Sequence, residues 1–337
     1  MTIAILLAAL ASLVTSLLGP IAVLPALRRW QVIDVPSQRS AHEVVTPRGG
    51  GLGILLALAV GTAIAWLLGT PIGGAVVAAL LLTLTLGAVG FAEDASGLSV
   101  KVRLALQYLP SFAAAAVILH LSDVVWAWAI PLGFIGLYCV NMANFMDGVN
   151  GISAFHGILL GAYITVVASI VGSPNTPGLM LLGAITTTAF LGFLPWNFPK
   201  AKLFLGDVGS YILGALFFGA LVLLWLVSGS ILLSIAPIVI YSADVLTTLA
   251  IRAYRREPLT QAHSDHAYQC IRRRSQSHVV ASLYTAGATG GVMIITICSL
   301  IGVLSTLLAW VLVLVVTVTY LAAGRLVGTP NYKLSEV

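Results

Sequence analysis

Residues 141–151 read Asn-Met-Ala-Asn-Phe-Met-Asp-Gly-Val-Asn-Gly and interrupt an apolar stretch with amides and a carboxylate. Asn141, Asn144 and Asp147 are spaced three apart, so a helix that continues this far places them on one face. The glycines then end the helix. Polar groups at the end of a membrane helix can contact a water-soluble ligand and a lipid headgroup together. A capped helix end followed by a Gly-rich turn is the alternative interpretation of this stretch alone.

The composition decides the class of protein. The 337 residues are 59% hydrophobic and 8% charged, with a mean hydropathy of +1.06, whereas about 25% of the residues in a soluble domain are charged. This balance predicts a polytopic membrane protein. The first apolar run, 3–27, lacks a basic leader and a cleavage signal, so we expect a retained span. The three cysteines, Cys139, Cys270 and Cys298, have no disulfide or metal-ligand spacing.

The apolar runs predict an all-α, polytopic membrane helix bundle with about 11 transmembrane helices, and residues 1–337 are expected to form one integral-membrane domain. The runs are 3–27, 52–69, 73–91, 104–121, 124–141, 152–172, 178–195, 208–227, 231–250, 281–303 and 305–323.

Charge sorts the loops between these runs. All sixteen Lys and Arg fall on one side, in the tail after 323 and in four of the five loops 28–51, 92–103, 142–151, 196–207 and 251–280. The opposite loops carry one acid, Asp123, and no Lys or Arg. By the positive-inside rule the basic side is cytoplasmic, which predicts a periplasmic or extracellular N-terminus, a cytoplasmic C-terminus and an inner (plasma) membrane location.

The acidic residues gather on the same side, where we expect the five loops to form the active site. A net charge of +5 could serve membrane insertion and attraction to anionic lipids alone. Membrane insertion and lipid attraction account for the basic residues but not for the acidic ones. Carboxylates beside Gly or Asn at helix ends are typical of a site that binds a divalent cation and a phosphate. The acids are Glu93, Asp94, Asp147, Asp207 and Asp265, with Asp244 in the inner half of the ninth run.

Four further strings in these loops contain residues that could bind a metal ion or a phosphate. Each also has an ordinary alternative, such as a loop ion pair, an N-terminal helix cap or a membrane-insertion signal. A zinc site at the two histidines lacks further ligands, so we expect phosphate contact there. The strings are His42-Glu43-Val44-Val45-Thr46-Pro47-Arg48-Gly49-Gly50-Gly51; Glu93-Asp94 with Leu98-Ser99-Val100-Lys101-Val102-Arg103; Phe204-Leu205-Gly206-Asp207-Val208-Gly209-Ser210; and Gln261-Ala262-His263-Ser264-Asp265-His266-Ala267-Tyr268-Gln269, which lies between Arg255-Arg256 and Arg272-Arg273-Arg274.

In this order, the strings resemble those of the polyprenyl-phosphate N-acetylhexosamine-1-phosphate transferases, which include the phospho-N-acetylmuramoyl-pentapeptide translocase and the enzymes that start O-antigen and teichoic acid synthesis. The resemblance covers nearly the whole chain. It implies ten or eleven helices, Mg²⁺ (with Mn²⁺ as a substitute), and transfer of a sugar-1-phosphate from a UDP-N-acetyl sugar to undecaprenyl phosphate with release of UMP. The membrane is the other partner, no nucleic acid is expected, and a homodimer is left open.

The resemblance also implies roles for individual residues. Asp207 and Asn144 would hold the metal. The catalytic set would be Glu93, Asp94, Lys101, Asp147, His263 and His266, and the substrate-binding set Thr46, Arg48, Gly50, Gly51, Arg103, Asn141, Asn144, Asp244 and Arg255. Glu93 departs from the family's two aspartates, so its role as a general base stays open. A transporter or flippase of lipid-linked or anionic substrates is the alternative function, although internal repeats and polar groups at mid-membrane would then be expected.

Overall fold

The computed structural model describes residues 2–34, 45–174, 176–258 and 263–325. His42, Glu43 and Val44 of the first string, Gln261-Ala262 of the histidine string and the end of the C-terminal tail lie outside these residues. The helices and strands, numbered in chain order, are α1 (Thr2–Arg29), β1 (Ile33–Asp34), β2 (Thr46–Pro47), α2 (Gly51–Leu67), α3 (Gly74–Ser96), α4 (Val100–Leu121), α5 (Ala129–Met146), α6 (Ile152–Val171), α7 (Thr176–Asn197), α8 (Gly206–Ser228), α9 (Ile231–Ile235), α10 (Val239–Tyr254), α11 (Ala267–Ser275), α12 (His278–Leu300) and α13 (Thr306–Arg325).

The predicted all-α, polytopic fold is confirmed. Within the described residues, ten helical segments are long and apolar enough to cross a membrane, and α2, with 17 residues, is a shorter apolar helix. Each of the eleven apolar runs coincides with one of these segments. α8 is the most buried spanning helix and lies against α3, α5 and α2, whereas α12 and α13 are among the least buried.

The loops on the basic side are shorter than predicted. α3 continues to Ser96 and α4 begins at Val100, so Glu93 and Asp94 lie in the last turns of one helix, with Lys101 and Arg103 in the first turn of the next. Likewise α5 continues to Met146. Hydropathy marks the hydrocarbon width, whereas a helix ends where its backbone groups find caps, as when Ser99 accepts a hydrogen bond from the Val102 N–H.

The ninth run was predicted as one helix but is broken by a 3₁₀ turn at Ala236–Ile238. Pro237 has no N–H to continue the helix. Side chains of α6 satisfy the backbone there: Tyr163 donates to the Leu233 carbonyl over 3.0 Å, and His156 Nε2 lies 2.7 Å from the Pro237 carbonyl oxygen. This polar contact keeps the break stable inside an apolar bundle.

A two-stranded antiparallel ribbon, which the sequence did not predict, lies in the first loop and pairs Ile33 with Pro47 and Asp34 with Thr46. Beyond β2 the chain bonds to the segment before α8. The Gly50 N–H donates to the Phe204 carbonyl over 2.9 Å, and the Gly51 N–H to the Leu205 carbonyl over 2.8 Å. The first loop is thereby attached to the start of α8.

Gly51 allows α2 and α8 to approach at this point. A Cβ on Gly51 would lie 2.3 Å from the Gly209 nitrogen. We predict that Gly51→Ala lowers the melting temperature of the purified protein. The free energy of unfolding should fall by about 1–3 kcal/mol, as is usual when a side chain is added to a packed site. Gly287→Ala is the matched control because a Cβ there would meet no atom of the described residues within 4 Å. Equal melting temperatures for the two variants would contradict this packing role.

Candidate active site

The first turn of α8 brings together the acidic string of α3 and the amides of α5. Asn144 Nδ2 donates to Asp207 Oδ1 over 2.6 Å and to Ser210 Oγ over 3.1 Å. Both Asn144 and Asp207 are partly buried. These contacts connect two motifs that are 63 residues apart in the chain.

Asp94 provides the cap that α8 lacks in its own sequence. Leu205, at the N-cap position, makes no side-chain cap, and the Val208 N–H instead donates to Asp94 Oδ2 over 3.1 Å. A Cβ on Gly206, which has φ +76°, would lie 2.5 Å from the same oxygen, so glycine is required here. Asp94 therefore places a buried carboxyl group at the positive end of α8.

Two arginines lie beside these acids. Arg48 donates through Nη2 to the Asp94 carbonyl over 3.0 Å, and its Nε lies 3.6 Å from Asp94 Oδ1. Arg103 Nη1 lies 3.2 Å from Glu93 Oε1. Anionic and cationic side chains thus alternate around the N-terminus of α8, which suits a site that must hold both a cation and phosphates.

Glu93 is engaged within the protein. Its Oε2 accepts a hydrogen bond from the Leu98 N–H over 2.7 Å, and its Oε1 accepts from Arg103. Glu93 therefore holds the turn between α3 and α4 together and orients Arg103. Lys101, predicted as catalytic, is exposed in the first turn of α4.

Asp147 follows the last residue of α5 and is partly buried. Burial raises the pKa of Asp147 to about 8, and the negative charges of Asp207 and Asp94 act in the same direction. The three carboxyl groups are therefore electrostatically coupled, and a cation among them would favour their ionised forms.

The predicted donor set is compatible with Mg²⁺. Within the part of the chain that the structure describes, no group of three or more His, Cys, Asp and Glu side chains is arranged to hold a metal. Mg²⁺ commonly takes one or two carboxylates from the protein and completes its shell with phosphates and water. Asp207 offers a carboxylate and Asn144 an amide, and among the described residues buried Asp94 Oδ1 accepts no hydrogen bond. These residues fit an ion that arrives with a phosphate substrate.

The histidine string packs against the 141–151 segment. Tyr268 donates to the Phe145 carbonyl over 2.9 Å, and the ring centroids of Phe145 and His266 lie 6.3 Å apart. The His263 and His266 centroids are 5.0 Å apart. Burial lowers the pKa of His263, with His266 and Arg252 adding to the effect. His263 is therefore mainly neutral at pH 7 and would contact a phosphate through a neutral N–H.

The remaining predicted binding residues differ in exposure. Thr46 is buried in β2, Gly50 and Gly51 are buried against the start of α8, and Arg255 is exposed after α10. Asp244 is fully buried, and its carboxylate is in contact with Thr248, His266, Ala267, Tyr268 and Tyr320. Substrate binding by these residues stays a prediction.

Asn141 contacts a residue that the sequence analysis missed. Its Nδ2 donates to Oε1 of the fully buried Gln107 over 2.8 Å and to the Leu137 carbonyl over 2.8 Å. Gln107 lies four residues after Arg103 on the same face of α4, and that spacing was a usable signal. Tyr320, which hydrogen bonds to Asp244, had no such signal, because a tyrosine in a lipid-facing run is ordinary.

The raised pKa of Asp147 predicts a pH dependence of stability. The folded protein binds a proton that the unfolded chain, with an ordinary Asp pKa of about 3.9, has already released. The resulting stabilisation is complete below the unfolded pKa and is lost as the pH rises through about 8. In EDTA, the melting temperature of the wild type should fall between about pH 6 and 8.5, and Asp147→Asn should reduce that fall. Asp123→Asn is the control, and equal slopes in all three proteins would contradict the assignment.

Comparison with known proteins agrees with this geometry. The model of glycosyl transferase family 4 matches residues 76–225, which include the acidic string, the 141–151 segment and the start of α8. A probable undecaprenyl-phosphate N-acetylglucosaminyl 1-phosphate transferase of Bacillus subtilis is 27% identical over 295 residues, which cover 80% of this chain and 79% of the relative.

Two further relatives carry related names. A phospho-N-acetylmuramoyl-pentapeptide-transferase of Granulibacter bethesdensis is 32% identical over 257 residues, or 60% of this chain and 67% of the relative. A decaprenyl-phosphate N-acetylglucosaminephosphotransferase of Mycobacterium leprae is 27% identical over 228 residues, or 59% of this chain and 55% of the relative. The resemblance of the loop strings is confirmed, and the chain belongs to glycosyl transferase family 4.

Proposed function

We propose that the protein transfers a sugar-1-phosphate from a UDP-sugar to undecaprenyl phosphate. An oxygen of the lipid phosphate bonds to the sugar-bearing phosphorus, and the bond from that phosphorus to the bridging oxygen breaks. UMP leaves with the bridging oxygen and its electron pair. The names of the relatives, which specify polyprenyl-phosphate acceptors and N-acetylglucosamine phosphate, support this reaction class.

The observation that carries the proposal is the cluster of Asp94, Asn144, Asp147 and Asp207 at one end of a membrane bundle, beside Arg48 and Arg103. Two anionic phosphates must meet there, and catalysis of phosphoryl transfer is mainly positioning and charge stabilisation. When bound at Asp207 and Asn144, Mg²⁺ would supply the positive charge that offsets the repulsion between the phosphates.

The side chains of the cluster and the N-terminus of α8 would stabilise negative charge and orient one another. The N-terminus of α8 and the two arginines favour negative charge at the cluster. Asp94 fixes the first turn of α8, and Glu93 orients Arg103. Since a phosphate monoester with a second pKa near 6 is mostly ionised near neutral pH, an obligatory general base is not assured and the role of Glu93 stays open. The His-x-x-His-x-Tyr-Gln string is similar to that of the branch that starts O-antigen and related surface glycans, and on this resemblance we extend the proposal to N-acetylhexosamine donors and to the start of such a glycan.

The metal ligands give the direct test. Asp207→Asn and Asn144→Ala should each reduce UMP release from UDP-N-acetylglucosamine and undecaprenyl phosphate by about a hundredfold or more, because a charge-stabilising contact in the transition state is lost. EDTA should stop the reaction, and added Mg²⁺ should restore it. Asp123→Asn, the same chemical change at an exposed position outside the cluster, should retain wild-type rates. Near-normal turnover by either cluster variant would remove that residue from the metal shell.

A transporter remains the competing function because the ninth run is broken in the middle, as helices in transporters often are. The same assay separates the two functions. UMP released in proportion to lipid product identifies a transferase, whereas movement of a labelled substrate across proteoliposomes without UMP identifies a transporter.

The proposed reaction requires the cluster to face the cytoplasm, where nucleotide sugars are available, with the N-terminus outside. In a background without cysteines, Asp123→Cys and Val303→Cys should react with an impermeant maleimide in intact cells. Ser96→Cys and Lys200→Cys should react only after permeabilisation. The reverse pattern would overturn the orientation, and a mixed pattern would overturn the count of spans.

A further inference from the structure

The Asp244 carboxylate joins three separate helices, α10, α11 and α13. Asp244 is 0% exposed. Its Oδ1 accepts a hydrogen bond from the Ala267 N–H over 2.8 Å, and its Oδ2 accepts from the Tyr268 N–H over 3.2 Å and from the Tyr320 hydroxyl over 2.9 Å. A buried carboxylate is tolerated when donors surround it in this way, and removal of one donor leaves a costly unmatched charge.

Asp244 acts as an external cap for α11. The first two N–H groups of that helix donate to it, and they would otherwise have no partner within the helix. α11 has only nine residues, too few for a helix that is stable by itself in water. The position of α11 therefore depends on the carboxylate at its N-terminus.

The same carboxylate orients His266. His266 Nδ1 lies 3.3 Å from Asp244 Oδ1, and both side chains are buried. Through this contact the buried carboxylate fixes the position of the imidazole ring. Asp244 thus sets the ring position of a histidine that is proposed to contact phosphate.

α13 holds this arrangement from the other side. Tyr320 is 1% exposed. A Cβ on Gly324 would lie 2.4 Å from the Ala267 Cβ, so the two helices are in close contact. Arg274 donates to the Ala323 carbonyl over 2.7 Å, and Arg325 donates to Thr248 over 2.8 Å. α13 is outside residues 76–225, the part that the family model matches.

The other side of α11 reaches the cluster. Tyr268 hydrogen bonds to the Phe145 carbonyl, two residues before Asp147, and a Cβ on Gly148 would lie 2.2 Å from the Tyr268 hydroxyl. Direct contacts therefore run from Tyr320 through Asp244 and α11 to the end of α5.

We propose that Asp244 is a positioning residue that places His266 and α11 against the cluster, and that Tyr320 of α13 holds the Asp244 carboxylate for this purpose. The catalytic part of the inference rests on the proposed transferase function. The structural part does not, because it concerns the attachment of α11 in the protein without substrate.

The rate at which Cys270 reacts with a maleimide measures how firmly α11 is attached. Cys270 lies in α11, is partly buried, and burial raises the pKa of its thiol. With Cys139 and Cys298 replaced by Ala, only Cys270 can react with a maleimide. We expect Tyr320→Phe to increase the labelling rate about fivefold well below the melting temperature, the factor that corresponds to one ordinary hydrogen bond in a local opening equilibrium. Tyr284→Phe is the matched control, since that ring stacks on Tyr320 but its hydroxyl is not among the partners of Asp244 in the described chain.

Steady-state UMP release by the same variants tests the catalytic part. Tyr320→Phe should lower kcat and kcat/KM together by about three- to tenfold with little change in KM for the UDP-sugar, because a contact made in the transition state is displaced. Tyr284→Phe should match the wild type in both measurements.

The outcomes separate the two proposals. An unchanged Cys270 labelling rate in Tyr320→Phe would overturn the positioning role. Faster labelling with an unchanged kcat would overturn its relevance to catalysis. Faster labelling in a protein whose wild type releases no UMP would support the attachment of α11 by Tyr320 while overturning the transferase proposal. Asp244→Asn serves as a second variant only if it folds, since Tyr320→Phe decides the question without it.

Discussion

The hydrogen bond from the Val208 N–H to Asp94 is the contact on which the arrangement of the cluster depends. It attaches the end of α3 to the start of α8, the most buried spanning helix. It also places a carboxylate at the positive end of that helix, where negative charge is stabilised. Asp207, Asn144 and Arg48 are then ordered around the same turn. One interaction thereby serves both the packing of the bundle and the charge pattern of the site.

The membrane explains why the packing of the bundle and the charge pattern of the site depend on the same contacts. Inside the hydrocarbon each backbone polar group must bond within the protein, so irregular backbone is confined to helix ends and to protected breaks. His156 and Tyr163 protect the break in the ninth run. At the helix ends, the glycines at 51, 206 and 209 let backbones approach closely enough for motifs from distant parts of the chain to meet.

The two halves of the site are held differently. The half at α8 belongs to the buried centre of the bundle, with contacts among α2, α3, α5 and α8. The histidine half lies at the N-terminus of a short amphipathic helix outside the spans, and it depends on Asp244 and on α13 at the edge of the bundle. Short helices of this kind open more readily than the core. A well-packed half beside a short helix of this kind suits the binding of two large substrates.

Much of this protein was determined by local properties of its sequence. Hydrophobic run length is set by bilayer thickness, so the eleven runs, including the one that is broken in the middle, could be located from composition alone. The three-residue spacing of Asn141, Asn144 and Asp147 placed those residues on one face because a helix repeats every 3.6 residues, and the glycines that follow marked the end of α5. Only the tertiary structure decided that Glu93 is engaged with Arg103, that Asp94 caps α8, and that Asp244 holds α11 through Tyr320. These contacts join residues up to 114 positions apart, and the chain's local pattern carries no information about which distant donor a buried carboxylate will meet.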